Sequence, residues 1–222
     1  MKIALFFSLA TACIFLSFVA MKKSTRIVFF GDSITEAGVN RGGYITQLRD
    51  SLEAHKLGKA FELIGAGISG NKIYDLYLRL ENDVLEKKPK IVIIYIGVND
   101  IWHKETHRTG TDADKFKKFY EAIIAKLQKQ KIQVTLCTPA CIGERKAGAN
   151  PMDAELDAYS QIIRDLAEEK NCGLCDFRKA FANYEAAHNA DDLSSSILTT
   201  DGVHLNIKGN KLVAEMLLEK IQ

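Results

Sequence analysis

A chain of 222 residues is long enough for one domain with a full apolar core, and 47% hydrophobic against 26% charged residues is the balance of a folded globular protein, which excludes disorder as its main state. Thirty basic and 28 acidic side chains leave a formal net charge of +2, so there is no electrostatic case for nucleic acid as a partner. Low-complexity tracts and internal repeats are absent from the sequence.

In chain order, residues 1–21 come first and stand apart. Lys2 precedes an uncharged run from Ile3 to Met21 made mostly of Leu, Ile, Phe, Ala and Val. Such a run reads as a signal peptide or an N-terminal membrane anchor. Ala10-Thr11-Ala12 followed by Cys13 resembles a degenerate lipoprotein box, with Ala10 where Leu is usual, and Ala20 offers a second cleavage position. Lys22, Lys23 and Arg26 follow at once and oppose simple translocation. The expectation is an exported protein, periplasmic or secreted, with membrane attachment through this segment as a variant. A start at Met21 would instead leave a cytoplasmic protein. The remaining residues, 22–222, read as one domain.

Arg26 to Phe30 is a short β-rich run that ends at Gly31. Tyr44 to His55 carries Tyr44, Ile45, Leu48 and Leu52 near helical spacing. Phe61 to Ile64 is a second strand, and Ile73 to Leu85 a helix with Ile73, Leu76, Tyr77, Leu80 and Val84 on one face, stopped by Pro89. The unbroken apolar run from Ile91 to Ile96 marks a strand buried on both faces. A long helix over Asp114 to Gln130 follows, then a strand over Ile132 to Cys137, a helix over Asp153 to Lys170, a strand over Gly173 to Phe177 and a closing helix over Ile207 to Ile221. Strands alternating with helices across short connections imply parallel strands joined by helical crossovers. The fold class is therefore α/β, a three-layer α/β/α sandwich with about five parallel strands. Cys137 and Cys175 fall in apolar strand-like runs, so these two and Cys141 and Cys172 read as free thiols, despite the redox-motif spacing of Cys172 and Cys175.

In parallel sheets of this kind ligands bind beyond the carboxyl ends of the strands. Three motifs lie where strands end or in the loop before the last helix. Gly31-Asp32-Ser33-Ile34-Thr35 follows the first strand and puts a serine on a strand-to-helix turn, where its hydroxyl can face a cleft and its N–H a developing oxyanion. The segment is not Gly-x-Ser-x-Gly, and alone it reads more readily as a turn or helix cap. Gly97-Val98-Asn99-Asp100 follows the most buried strand; Asn99 can donate its amide to an oxyanion, although the segment by itself reads as a turn. Asp201-Gly202-Val203-His204 offers a histidine as general base and, three residues earlier, a carboxylate to orient it.

The order and spacing of these motifs resemble the SGNH hydrolase family, which includes the GDSL lipases and acetylesterases. Gly-Asp-Ser-Ile-Thr matches its first block, Ile68-Ser69-Gly70-Asn71 the second, Gly97-Val98-Asn99-Asp100 the third, and Asp201-Gly202-Val203-His204-Leu205 the last, ahead of Gly209 and a terminal helix. Ile34 stands where Leu would complete the literal GDSL string. The resemblance implies a flavodoxin-like fold and a serine esterase that works through an acyl-enzyme on short acyl groups such as acetyl esters. It also implies Ser33, His204 and Asp201 as catalytic residues, and an oxyanion hole made from Ser33, Gly70 and Asn99. No metal and no cofactor is implied, and the partner is a small-molecule ester. Nothing in the sequence specifies an oligomeric state.

Trp102, His103 and His107 follow the third block and are expected at the pocket mouth, with His103 the candidate substrate contact. Asp32 and Asp100 read as structural, His55 and His188 as surface residues, and Arg41-Gly42-Gly43-Tyr44 as a border of the acyl site or a simple turn. Two alternatives keep the same catalytic residues, a lysophospholipase and a thioesterase. A non-catalytic carbohydrate-binding protein on a hydrolase fold and a zinc hydrolase using His204 are readings of other classes.

Overall fold

The computed structural model describes residues 24–146 and 148–221. The leader read at residues 1–21 lies outside them. Among the described residues no helix is long and apolar enough to cross a membrane.

Within the described residues five strands, β1 (Thr25–Gly31), β2 (Phe61–Gly67), β3 (Ile91–Tyr95), β4 (Gln133–Cys137) and β5 (Gly173–Cys175), form one parallel sheet in the order β2-β1-β3-β4-β5. That is the flavodoxin-like order. Ile27, Val28, Phe29 and Phe30 are all 0% exposed, because β1 lies inside the sheet with helices on both faces. A strand in that position needs consecutive apolar residues, and β1 and β3 both supply them.

Among the described residues eight α-helices flank the sheet: α1 (Ser33–Gly38), α2 (Tyr44–Ala54), α3 (Ile73–Asp83), α4 (Val98–His107), α5 (Ala113–Lys129), α6 (Asp153–Glu169), α7 (Phe177–His188) and α8 (Ile207–Ile221). The step from β1 to β2 runs one way along the sheet, and the later steps run the other way. Right-handed crossovers therefore put α2 on one face and α3, α5 and α6 on the other. In keeping with this, α8 packs on α2, α3 on α5 and α5 on α6. On α5, Phe116, Tyr120, Ile123, Ile124 and Leu127 form the buried stripe that helical spacing demands. The direction of winding reverses between β1 and β3, which opens a crevice at their carboxyl ends.

Two helices escape the sequence pattern. The segment read as a turn at residues 97–100 is the start of α4. The Asp100 carboxylate, which would have closed a local turn, instead accepts the Ile73 N–H at 3.1 Å from the head of α3. The last strand, expected to reach Phe177, stops at Cys175, because Asp176 caps α7 by accepting the Lys179 N–H at 3.2 Å. Cys137, Cys141 and Cys175 are buried free thiols and Cys172 a partly exposed one, as expected.

Candidate active site

The site is assembled from the loops that follow β1, β2 and β3 and from the segment before α8. Gly31 ends β1, and a Cβ there would stand 2.3 Å from both the Thr35 hydroxyl and the Tyr95 carbonyl oxygen. Only glycine lets the chain turn that tightly onto its neighbours. Asp32 caps α1, its carboxylate accepting the Ile34 N–H at 3.0 Å. Ser33, half-buried, is then the first helical residue. Its N–H has no partner within the helix, as at any helix start.

Burial pushes the Asp32 carboxyl up to about 7, against the opposing pull of the Ile34 N–H, His204 and Arg79. The unfolded chain releases this proton near 3.8 while the folded chain still holds it. The associated stability is thus fully present below the unfolded value and is lost as pH rises through about 7. Asp32→Asn keeps a good cap and cannot ionise. Its denaturation midpoint, relative to the unchanged protein, should rise between pH 4 and pH 8 in urea titrations.

The Asp201–His204 loop is tied down on both sides. Asp201 Oδ1 accepts the N–H groups of Val203 at 3.0 Å and His204 at 2.8 Å, and Gly143 N–H donates to the Gly202 carbonyl at 2.8 Å. Just upstream, the fully buried Glu144 carboxylate accepts the N–H groups of Ile197, Leu198 and Thr199. With the loop so held, His204 Nδ1 lies 2.7 Å from Asp201 Oδ2 and its Nε2 3.0 Å from Ser33 Oγ. Burial opposes charge on Asp201, but hydrogen bonds from the His204 ring and from the two loop N–H groups outweigh it and hold the carboxyl below the usual range. An ionised Asp201 accepts the proton on Nδ1, which leaves Nε2 as an acceptor facing the serine hydroxyl.

The second loop carries Gly70 at φ +77, a conformation in which a Cβ is strained although the space beside it is nearly open. Among the described residues the Gly70 N–H has no hydrogen-bond acceptor. The loop is fastened by Ser69, whose N–H donates to Glu36 Oε2 at 2.9 Å and whose hydroxyl donates to the same oxygen. The buried Lys72 ammonium donates to the Gly70 carbonyl at 3.2 Å. Asn99, buried at the head of α4, gives one amide N–H to the Asn71 carbonyl at 3.1 Å, which leaves the other free.

The remaining sequence candidates separate clearly. His103 lies over the Gly70 loop, its ring 3.9 Å from where a Gly70 Cβ would stand. Burial, Lys72 and His107 together push its pKa below the usual histidine value, which favours the neutral ring at the site's edge. Trp102 meets the His204 ring edge-on, with centroids 6.3 Å apart. His55 and His188 are exposed and bond carbonyls one turn back in their own helices. Arg41, Gly42 and Gly43 line a cavity of about 330 Å³ with Thr200, Leu205 and Ile207, beside the His204 loop. Glu36, Glu144 and Lys72 were not legible as site residues. Glu36 and Glu144 are isolated polar residues whose partners come from distant segments, Lys72 bonds a carbonyl two residues back, and no motif or spacing signals either.

A serine hydroxyl that can be deprotonated by an oriented imidazole, at the switch point of a flavodoxin-like sheet, defines the class: a serine hydrolase of the α/β type. Residues 29–212 match the model of the GDSL-like lipase/acylhydrolase family, and the chain belongs to that family. It is 28% identical over 216 residues to the acetylxylan esterase of Geobacillus stearothermophilus, covering 88% of this chain and 93% of that protein. A second relative, the uncharacterized lipoprotein YqeF of Bacillus subtilis, is 26% identical over 175 residues, 69% of this chain and 71% of YqeF. Among solved structures, the acetyl xylan esterase AlAXEase superposes with a TM-score of 0.87 at 54% identity, covering 89% of this chain and all of that one. The chain is a carboxylic-ester hydrolase.

Proposed function

We propose that this esterase removes acetyl groups from carbohydrate esters, with Ser33 as nucleophile, His204 as general base and Asp201 as the group that orients it. The observation that carries the chemistry is the continuous hydrogen-bond chain from Ser33 Oγ through His204 to Asp201. The substrate class is supported by similarity to AlAXEase and to the Geobacillus enzyme, both acetylxylan esterases by name.

His204 Nε2 takes the hydroxyl proton as Ser33 Oγ attacks the acetyl carbonyl carbon. The carbonyl oxygen gains the charge and is received by the N–H groups of Ser33 and Gly70 and the free amide N–H of Asn99. Collapse breaks the bond to the sugar oxygen, which leaves with the proton from His204, and the acetyl group stays on Ser33. A water molecule gives a proton to His204 and attacks the acyl carbon. The second tetrahedral intermediate collapses, Ser33 Oγ recovers its proton from His204, and acetic acid departs and loses its proton to solvent. Every step uses groups of the chain, the ester and water.

Losing one of three oxyanion donors typically costs about 10²–10³ in kcat. Asn99→Ala should fall in that range with KM little changed, measured on p-nitrophenyl acetate. The substrate reading is tested by comparing acetylated xylo-oligosaccharides and p-nitrophenyl acetate with p-nitrophenyl palmitate, a lysophospholipid and an acyl-coenzyme A thioester. Acetyl esters should lead in kcat/KM by at least about tenfold, a modest discrimination for a pocket that recognises acyl length. A lead for the long-chain or thioester substrates would assign the lysophospholipase or thioesterase alternative. Failure of a fluorophosphonate to label Ser33 would assign a binding role. Residues 1–21 are proposed to direct export or anchoring, a reading supported by similarity to the lipoprotein YqeF.

A further inference from the structure

We infer that Arg79 is a positioning residue for this reaction, holding the Ser33 turn and the Gly70–Asn71 loop at a set distance from one another. The inference rests on the roles proposed above for Ser33, Gly70 and Asn99.

Arg79 sits in the second turn of α3 with its side chain only 14% exposed. Its guanidinium reaches three separate segments. Nη2 donates to the Gly31 carbonyl at 2.7 Å, two residues before Ser33. Nη1 donates to the Ala66 carbonyl at 3.0 Å, at the end of β2. Nε donates to Asn71 Oδ1 at 2.7 Å, in the loop after β2. The guanidinium carbon also lies over the ring of Phe30, the residue before Gly31, 4.5 Å from its centroid.

An ion pair with Asp83 at 2.7 Å uses Nη1 as well. That pair is an ordinary i,i+4 contact on one helix and accounts for none of the other three bonds. Gly31 is paired with Gly67 of β2 on one side and Tyr95 of β3 on the other, and past those pairs the Ile68 N–H reaches the Gly31 carbonyl at a long 3.3 Å. The guanidinium bond to the same oxygen is much shorter, and it is charge-assisted.

The chain of contact continues to the third oxyanion donor. Asn71 accepts from Arg79 through its side chain and from Asn99 Nδ2 through its carbonyl. One planar fork thus links the strand that carries the nucleophile, the loop that carries Gly70 and the amide of Asn99. Catalytic groups must be held to about 0.5 Å, and a displacement of about 1 Å can cost as much as about 100-fold in rate. Lysine keeps the charge, but it concentrates three donors at one point and cannot reach three segments in one plane.

The test uses Arg79→Lys, Asn71→Ala and the double variant. Active sites are counted by fluorophosphonate titration, so that misfolded protein is excluded from kcat. On p-nitrophenyl acetate, Arg79→Lys should lose about 10- to 100-fold in kcat per titrated site, the range expected of misplaced groups. KM should stay within about threefold, since ground-state binding is not what the oxyanion donors set. The acid limb of the pH profile should not move, because the His204–Asp201 pair is untouched. Asn71→Ala should give a similar loss, and the double variant no more than the worse single one, since both remove the same link. A kcat per site within about twofold of the unchanged protein for either variant would overturn the inference, as would losses that multiply in the double variant or a shifted acid limb. If Arg79→Lys does not fold, Asn71→Ala decides alone, because it leaves the guanidinium in place. A wild-type protein that the probe does not label would refute the role of Ser33 instead, which separates the two claims.

Discussion

Ser33→Ala should lower kcat on an acetyl ester by about 10⁶-fold, His204→Ala by a similar factor, and the double variant by no more than either, because residues that act as one unit are not additive. Without Oγ no acyl-enzyme forms. Without the imidazole, Oγ keeps its proton and is a poor nucleophile. The residual rate, about 10³–10⁴ over water, would come from the oxyanion donors and substrate binding alone. The fold should survive, for a local reason. The cap of α1 is the Asp32 side chain, and the Ser33 hydroxyl is bonded to His204, so its removal leaves the helix start intact. Circular dichroism should be unchanged while fluorophosphonate labelling disappears. Retention of a substantial fraction of the rate by Ser33→Ala would rule out the nucleophile assignment.

The second large effect concerns Asp201. An amide in its place can donate to His204 Nδ1, and the imidazole proton then moves to Nε2, where it faces the serine and blocks proton transfer. In enzymes with a buried aspartate this change costs about 10⁴-fold in kcat. Here the Asp201 side chain is 49% exposed and that of His204 37%. Water can partly replace the lost acceptor, so the expected loss for Asp201→Asn is nearer about 10³-fold, at the low end for such a group. The loop should hold, because the asparagine oxygen can still accept the N–H groups of Val203 and His204 that Asp201 Oδ1 accepts now. Asp201→Ala removes those two bonds as well and should add a fall in thermal stability. A kcat for Asp201→Asn within about tenfold of the unchanged protein would mean that the carboxylate does not set the imidazole tautomer.

Much of this architecture can be read from residue order. The runs Ile27–Phe30 and Ile91–Ile96 have no polar residue on either face, and only an interior strand of a two-sided sheet accommodates that. The stripe from Phe116 to Leu127 has a single helical solution. The helices at residues 98–107 and 177–188 escaped because the residues at their starts, Asn99, Asp100 and the cap Asp176, are ones that usually favour turns. Whether such a side chain closes its own turn or serves another segment depends on what stands nearby. Asp100 serves the Ile73 N–H, and Asp176 is held by Arg164 and by the Thr138 hydroxyl, both outside α7.

The same distinction runs through the site. Sequence alone determined which residue types occupy the strand ends, Ser33 after β1 and Asn99 after β3, with Asp201 and His204 three apart in one loop, since these are local patterns and chemistry restricts which residues can serve. Tertiary structure alone decided that Ser33 and His204, 171 positions apart, come within 3.0 Å. It also decided that Glu36, Lys72, Arg79 and Glu144 support the loops around them. Glu36, Arg79 and Glu144 bond mainly backbone groups of segments far along the chain, and any segment offers the same carbonyls and N–H groups. Their partners are therefore selected by proximity in the folded molecule, which leaves no periodicity or motif in the sequence.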